Sequence, residues 1–499
     1  MTHSLEVNPS KNQTQGSSPK PSNQLNDGYM LVTASPQSNV PPLANGTGST
    51  EDLPDNRGNL LGSSFSHISI RIQTPDNIEG LEVADAIHNI TLWEAIDSLN
   101  MTGEITFKDD SGLLAGIPVL GQELVSVVLT PNKGQQIALV MYITEVFNVI
   151  KTGKDTSAFK VRLTSTVDVL DAQNILSRSF SGTCTDIIRN IFKTYLNHEI
   201  SNDYTDEVEY AGTQSSENIT IVFPYIKPLD AVSQLLQRSY TSKNSPVLLF
   251  ETLFKAHRLV SVDELWNNRY KPPRIIRERA IHATASNVDG KNLLDNVKGM
   301  AGRLTDWTMT NGYNTLGLTN SGAYSANSTI SNISHKTVED YQYRYNDNKS
   351  TKSNTNEFVS PRFQSSSADV GKILSQDRSP DHRYIPSNSM AFGSDDLQKN
   401  ISTVDPMALM SYSSNLSRYD AVKIEITCDP IAGLMCGDII ELELKSSKAE
   451  LTDKMNVDPL TSGKYLVSAI KHAWDAGKYN QSIELIRDGI GMEYKKNEG

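Results

Sequence analysis

The side chains of this chain that could do chemistry are scattered rather than grouped. Nine histidines stand at His3, His67, His88, His198, His257, His282, His335, His382 and His472. None forms a His-x-x-x-His or Glu-x-x-His pair, the spacing that puts two metal ligands on one helix face. The three cysteines, Cys184, Cys428 and Cys436, are too few for a disulfide framework, and the 428/436 spacing is wider than that of a C-x2-4-C zinc site. They read as small buried apolar residues, so neither a metal nor a cofactor is expected. No phosphate-cradling Gly-x-x-x-x-Gly-Lys-Ser/Thr loop, Gly-x-Gly-x-x-Gly turn or Gly-x-Ser-x-Gly elbow occurs. Gly463-Lys-Tyr465 and Asp488-Gly-Ile-Gly491 therefore read as turns. A glycosidase pair would need two converging acids, yet Asp109 and Asp110 lie in a turn sequence and Glu441 and Glu443 on the wet side of an alternating run. No residue is assigned a catalytic role. One basic stretch, Tyr270-Lys-Pro-Pro-Arg-Ile-Ile-Arg-Glu-Arg279, could touch phosphate, but reads better as an exposed connector or subunit contact. Its Arg274, Arg277 and Arg279 would meet acidic surface there.

Global composition narrows the field further. The 499 residues carry a formal net charge of −12, the wrong sign for a protein whose affinity comes from neutralising phosphates. With a mean hydropathy of −0.39 and no run of about eighteen uncharged apolar residues, no membrane insertion is expected. The first residues have neither a basic n-region nor an apolar h-region, so folding in the cytoplasm is expected.

The elements that would have to position any site follow from periodicity. Residues 1–62 hold 7 of the 21 prolines and a single aromatic, Tyr29. Such composition cannot bury enough apolar surface to offset its ordering entropy, which predicts a disordered arm or one ordered by a partner. From His67 the pattern alternates. Ile68, Ile70 and Ile72 share a face, as do Met101, Gly103, Ile105 and Phe107, then Val125, Val127 and Leu129, then Leu139, Met141 and Ile143, then Phe159, Val161 and Leu163. This period of two predicts an antiparallel β-barrel-like domain over 63–175, with a helix near Leu92–Leu99 covering one end.

Residues 176–270 change texture. Ile187, Ile188, Ile191, Phe192 and Tyr195 recur at helical spacing behind a Thr183 cap, a Pro-started helix follows Pro228, and Ser261-Val-Asp-Glu264 is a capping box. These features predict a small α+β domain. A connector over 271–320, contributing to the last domain, and a Ser/Asn-rich irregular insertion over 321–405 come next, the latter without visible periodicity. Alternation returns over 406–499 in Val422, Ile424 and Ile426, in Ile440, Leu442 and Leu444, in Tyr465 and Val467, and in Ile483 and Leu485. The fold class expected is α+β, mostly β, with two antiparallel barrel-like domains around a small α+β part and long irregular segments. No tandem sequence repeat joins the two β-domains.

Particular residues then bring a family into view. Gly103-Glu-Ile-Thr-Phe107, the turn at Asp109-Asp110, and a Pro-x-x-Gly-x-Glu lead-in at Pro118, Gly121 and Glu123 precede the strand Val125–Leu129. Near the C-terminus stand a Gly-Asp lead-in, Gly437-Asp438, then Gly463-x-Tyr465-x-Val467, His472, and Tyr479-x-x-x-Ile483-x-Leu485. In this order the motifs resemble the central hub proteins of phage contractile-tail baseplates, the T-even type, and the related spike modules of type VI secretion. The resemblance covers roughly 62–270 and 415–499, and departs from the family in the N-terminal arm, in the 321–405 insertion and in lacking a fused spike or lysozyme domain.

That resemblance implies a homotrimer whose two tube-type domains per chain form a pseudo-sixfold ring, adapting a six-fold tail tube to a three-fold spike. It implies tail-tube or tube-initiator proteins above, a central spike protein below, and baseplate wedge proteins and the tape-measure C-terminus as further partners. Phage DNA would pass without stable binding, in a virion tail baseplate assembled in the host cytoplasm. Contractile bacteriocins and secretion-type injection systems carry the same kind of hub, and an adhesin or a cell-wall hydrolase is the alternative from another class.

Overall fold

The computed structural model describes residues 65–490, apart from 75–76, 111–118, 132–136, 152–156, 201–217, 242–243, 255–256, 268–273, 278–303, 313, 333–335, 346–357, 360–381, 388–405, 420, 429, 432, 445–457, 459–460 and 476–477. The arm 1–62 and Pro118 therefore lie outside the described residues. The protein is α+β and mostly β. No described helix is long and apolar enough to cross a membrane.

Seven strands open the fold: β1 (Phe65–Thr74), β2 (Asn77–Glu82), β3 (Ile87–Ala95), β4 (Thr102–Asp109), β5 (Leu124–Pro131), β6 (Ile137–Lys151) and β7 (Ser157–Ser165). They lie in the order β3-β4-β7-β6-β5-β1-β2. The alternating apolar faces, Ile70 and Ile72 on β1, Val125 and Val127 on β5, Phe159 and Val161 on β7 and Ile90 and Leu92 on β3, meet in one cluster. A sheet whose distant strands share one core must curl upon itself. The helix expected near Leu92–Leu99 is instead mostly strand: β3 runs to Ala95 and a turn follows at Ile96. Period two wins because Ile90 and Leu92 are buried on the barrel face and β3 is hydrogen-bonded along both edges.

The middle of the chain folds as α1 (Thr166–Gln173), β8 (Leu176–Thr183), α2 (Cys184–Tyr195), β9 (Asn218–Ile226), α3 (Pro228–Leu236), β10 (Val247–Glu251), β11 (His257–Ser261) and α4 (Val262–Asn267). Thr183 Oγ1 accepts from the Asp186 N–H at 3.2 Å, capping α2, and Ser261 Oγ accepts from the Glu264 N–H at 3.3 Å. The apolar stripe of α2 packs with Ala231, Val232 and Leu235 of α3 and with the two-stranded ribbons β8-β9 and β10-β11.

The remaining elements are β12 (Arg274–Arg277), β13 (Leu304–Asn311), α5 (Thr315–Asn320), β14 (Ser325–Asn332), β15 (Thr337–Arg344), β16 (Phe358–Val359), β17 (His382–Ser387), α6 (Pro406–Tyr419), β18 (Val422–Cys428), β19 (Ile439–Glu443), β20 (Gly463–Asp475), β21 (Lys478–Arg487) and β22 (Gly489–Ile490). The basic stretch is not simply an exposed connector. Its Arg274–Arg277 form β12, parallel to β19, and Ile276 is fully buried because the residue after Ile275 must face the core.

The C-terminal strands repeat the N-terminal order. They run β13-β18-β21-β20-β19-β12, against β3-β4-β7-β6-β5-β1. Neighbours are antiparallel throughout, except that β12 runs parallel to β19 where β1 runs antiparallel to β5. Two irregularities of register repeat too, whereas the shifts between Phe147 and Ile150 on β6 and between Met309 and Asn311 on β13 belong to one module only. The pairing of β3 with β4 skips a residue between Ile87 and Asn89, and that of β13 with β18 between Leu304 and Asp306. A bulge between Ile143 and Glu145 on β6 has its counterpart between Val467 and Ala469 on β20. At these two bulges Thr144 Oγ1 donates to the Arg162 carbonyl at 3.3 Å and Ser468 Oγ to the Glu484 carbonyl at 3.1 Å. Bulges are placed features that bend a strand and terminate pairing, so their recurrence marks the halves as two copies of one module.

The modules are fused along one seam. On the side of β20 that faces away from β21, Gly463–Leu466 pair with β19, and beyond the bulge Ala469–Asp475 pair with β3. The strands thereby join into a single 13-stranded sheet.

Part of the segment expected to be irregular is ordered. The strands β14, β15 and β17 form a three-stranded sheet, and Ala326, Tyr343 and Tyr345 pack on Met410 of α6. The alternation of Tyr341, Tyr343 and Tyr345 is a strand signal, masked by the Ser/Asn content of β14, whose small side chains Ala326 and Ser328 are buried. The Arg418 guanidinium lies 4.1 Å over the Tyr345 ring, and the Tyr343 hydroxyl donates to Ser414 Oγ at 3.2 Å. In denaturant titrations Tyr343→Ala should cost about 3 kcal/mol, as for other buried aromatic truncations, and Tyr343→Phe about 1 kcal/mol for the single hydrogen bond. Unchanged midpoints in both would show this sheet to be an appendage.

Candidate functional site at the seam between the modules

The seam gathers the buried polar side chains Thr91, Glu94, Ser468, His472 and Gln481. Its centre is Glu94, on the core face of β3 and 1% exposed. Its Oε2 accepts from the Leu253 N–H at 2.8 Å and its Oε1 from the Cys436 N–H at 3.1 Å. The Cys436 thiol donates back to the Glu94 carbonyl at 3.3 Å. One carboxylate thus ties the first barrel to the β10–β11 hairpin and to the second barrel, satisfying donors that would otherwise be buried unpaired.

His472 on β20 stands beside it, with Nε2 3.5 Å from Oε1 of Glu94. Gln481 Nε2 donates to the Tyr479 hydroxyl at 2.7 Å, and the same hydroxyl shares a hydrogen bond with His472 Nδ1, 2.7 Å away. The rings of His472, Trp474 and Tyr479 stack within 6.1 Å of one another. Gln481 also closes a two-way bond with Ile431, accepting from its N–H at 2.8 Å. Burial pushes the Tyr479 hydroxyl and the Cys436 thiol well above their ordinary pKa values, so both stay protonated.

The lead-in residues shape the approach to this centre. Gly437 has φ +85°, and a Cβ there would stand 2.9 Å from Leu265 Cδ2 and 3.1 Å from both Arg258 Nη1 and Phe250 Cζ. Only glycine lets the hairpin and α4 come this close. Arg258 Nη1 donates to the Cys436 carbonyl at 2.9 Å. Asp438 and Val467 complete the turn, with the Val467 N–H donating to the Asp438 carbonyl and the Gly437 N–H to the Val467 carbonyl, each at 2.9 Å.

In the first module the same place is held by Gly121, φ +97°, and Glu123. The Ile143 N–H donates to the Glu123 carbonyl at 2.9 Å, as Val467 does to Asp438. The Glu123 carboxylate accepts from the N–H groups of Leu120, Gly121 and Gln122 at 2.8, 2.9 and 3.0 Å. Gly121 and Glu123 therefore lie apart from the seam and cap their own loop. Gly103 on β4 is needed for contact rather than for φ: a Cβ would meet Leu92 Cδ2 at 2.6 Å and the Thr91 carbonyl oxygen at 3.2 Å. Gly463 opens β20 with φ +134°. Tyr465, fully buried, donates to the Thr461 carbonyl at 2.6 Å under the Arg487 guanidinium, 4.5 Å over its ring.

Of the residues singled out in the sequence, the structure brings Gly437, Asp438, Val467, His472 and Tyr479 to the seam, and leaves Gly103, Gly121, Glu123, Gly463 and Tyr465 at turns and packing points around it. Glu94, Cys436, Gln481 and Arg258 were not read as site residues. Glu94 had a signal: in Ile90-x-Leu92-x-Glu94-x-Ile96 it falls on the apolar side of the alternation. Among the described residues no group of three His, Cys, Asp or Glu is placed to hold a metal. The three cysteines are free and buried.

A second joint connects the first barrel to the α+β part. Glu251, partly buried, accepts from the Met101 N–H at 2.8 Å and Ser165 Oγ at 3.2 Å. Desolvation still raises its carboxyl to about 7. Asn100 gives its amide to Asp168, so its Oδ1 accepts from His257 Nε2 at 2.7 Å. The His257 and His198 rings lie 4.8 Å apart. Burial lowers His257 to about 3, and burial with the neighbouring His257 lowers His198 to about 4.

No family model matches the chain and no curated protein matches it. Among solved structures it is similar to the tail protein from Neisseria meningitidis MC58, with 9% identity, 85% of this chain and 97% of that chain covered, and a TM-score of 0.46. It is similar to the 43 kDa tail protein of prophage MuSo2 from Shewanella oneidensis, with 10% identity, 85% and 100% covered, and a TM-score of 0.44. A third similarity is to the lidded Francisella PdpA-VgrG complex, with 11% identity, 87% and 55% covered, and a TM-score of 0.41.

Two measurements test these joints. Glu94→Ala leaves two buried N–H groups without an acceptor, and should cost about 3 kcal/mol in equilibrium unfolding; a loss under about 1 kcal/mol would remove Glu94 from its central place. The second joint sets a pH slope. Below about 6.5 the unfolded chain protonates both histidines, while the folded chain resists down to about 4 and 3, so acidification lowers stability. Glu251 opposes this: from about 7 down to 4.5 the folded state holds the extra proton and gains stability as pH falls. Two protons against one leave a net loss of about 1.4 kcal/mol per pH unit between roughly 6.5 and 4.5 from this cluster. Glu251→Gln should double that contribution, and His198→Asn should cancel it, read as differences in slope from the unmodified protein.

Proposed function

We propose that the chain is the structural hub of a phage-tail baseplate, a homotrimeric ring that adapts a six-fold tail tube to a three-fold central spike and forms part of the DNA conduit. The observation that carries this reading is the duplicated module: one strand order, with a bulge at the matching place in β6 and β20, occurs twice in a single chain. A six-fold tube and a three-fold spike share a continuous joint when each of three subunits offers two equivalent faces. The motif residues quoted from the sequence support the same assignment, since Gly121-x-Glu123 and Gly437-Asp438 occupy matching lead-ins of the two modules.

On this reading the protein is a conduit and docking platform rather than an enzyme. Tail-tube proteins dock above and the spike below. The net charge of −12 suits a channel through which DNA slides, because cationic walls would hold phosphate and release it slowly. The seam supplies rigidity: two modules locked by a continuous sheet and a buried carboxylate transmit load without hinging.

Mass photometry of the full chain should give a particle of roughly 165 kDa, three times the 55.0 kDa subunit. In gel-shift titrations at physiological salt, duplex DNA should bind no tighter than the non-specific range of about 0.1 mM. A stable hexamer, or sub-micromolar and salt-steep DNA binding, would overturn the hub and conduit reading.

A further inference from the structure

The two modules are not equally covered. In the repeat, β3 matches β13, and β20 matches β6. Aligning the ladders at their shared bulges makes Ile90 equivalent to Trp307, Thr91 to Thr308 and Leu92 to Met309. Ile90 and Leu92 are 2% and 0% exposed because β20 covers that edge of β3. Trp307 and Met309 are 36% and 38% exposed, and among the described residues no strand pairs with the edge of β13 that faces away from β18.

The complementary edge is also open. β20 carries β19 on its first half and β3 on its second. Its counterpart β6 carries β5 along Ile137–Tyr142, and among the described residues nothing pairs with the same edge beyond the bulge, Glu145–Lys151. That stretch exposes Val149 and Ile150, each 59%. Among the described residues each chain therefore has both halves of the seam a second time, one at each end and both unpaired.

We infer that β13 of one copy pairs antiparallel with the far half of β6 of a second copy, repeating between chains the seam that β3 and β20 make within one. Transferring the register of that seam, in which Thr91 faces Ala473 and Leu92 faces His472, through the second register shift of β6 between Phe147 and Ile150 places Thr308 opposite Ile150 and Met309 opposite the shifted pair Asn148–Val149 across the interface. The contact removes two free strand edges and four exposed apolar side chains from water, which is what an open edge otherwise invites from any passing chain. Because the two surfaces differ, the contact is head-to-tail, and such contacts propagate until they close into a ring. The pairing rests on the hub reading only for the number of copies.

The test uses the full chain carrying Ile150→Cys and Thr308→Cys, oxidised and run without reductant, beside each single variant and a control pair of Ile150→Cys with Val222→Cys. The natural cysteines are buried, so their background is low. The expected result is covalent oligomers from the first pair alone, ending at a trimer. Trp307→Glu with Met309→Glu should weaken assembly at least tenfold in mass photometry while leaving the unfolding transition of the subunit in place. A trimer without these cross-links overturns the pairing and leaves the hub reading standing. Cross-linked chains that never stop at three support the pairing and remove the hub reading. A cross-link equally strong in the control pair, or a monomer at every concentration without cross-links, overturns the pairing.

Discussion

A buried carboxylate on a barrel strand holds this fold in one arrangement. Glu94 loses nearly all its water, which is costly for an ionisable group, and recovers it through main-chain N–H groups supplied by two other parts of the chain, Leu253 and Cys436. Neither donor can move without leaving the acid unpaired. The relative placement of the first barrel, the α+β hairpin and the second barrel is thus specified by hydrogen bonds whose loss is expensive, in addition to apolar contact that would tolerate sliding. The close approach of Arg258, Phe250 and Leu265 over Gly437 is the steric counterpart of the same constraint.

From that seam follows the division of labour along β20. A bulge at Ser468 turns the strand so that its first half closes one barrel and its second half extends the other. The strand has to be long, and both β20 and its counterpart β6 are longer than any neighbour. A single element built into two cores makes the modules one mechanical body, whereas a flexible linker between complete barrels would let each move alone. The second joint, around Glu251 and His257, braces the α+β part against the barrel with a network in which one amide, Asn100, fixes the ring nitrogen that carries the proton.

Duplication of topology without duplication of sequence has a physical basis. Strand order and bulge position are backbone properties, met by any residues of suitable alternation, while the side chains of each copy answer to different surroundings. Glu123 and Asp438 hold the same lead-in, yet the first caps three N–H groups of its own loop and the second sits in a turn pressed against α4. Leu92 and Met309 occupy the same position, one under a strand and one at an open edge.

Local order was legible in the residues themselves. The alternation of Ile68–Ile72, Val125–Leu129 and Phe159–Leu163 determines strands, and the Thr183 and Ser261 caps with Pro228 determine helix starts, because these signals act within one or two turns of chain. The glycine at 463 announced a turn by type. What only tertiary structure decided was partnership. Ile90–Ile96 has a periodicity that suits a covering helix or a strand, and it became a strand because β4 and β20 were available on its two edges. The Ser/Asn-rich β14 became a strand because β15, β17 and the tyrosines over α6 gave it partners. Glu94 became the centre of the seam because donors 159 and 342 residues away arrive at its two oxygens. Periodicity reports which face of an element is apolar, but hydrogen bonds across such sequence distances depend on the closed fold, and nothing in the local pattern encodes them.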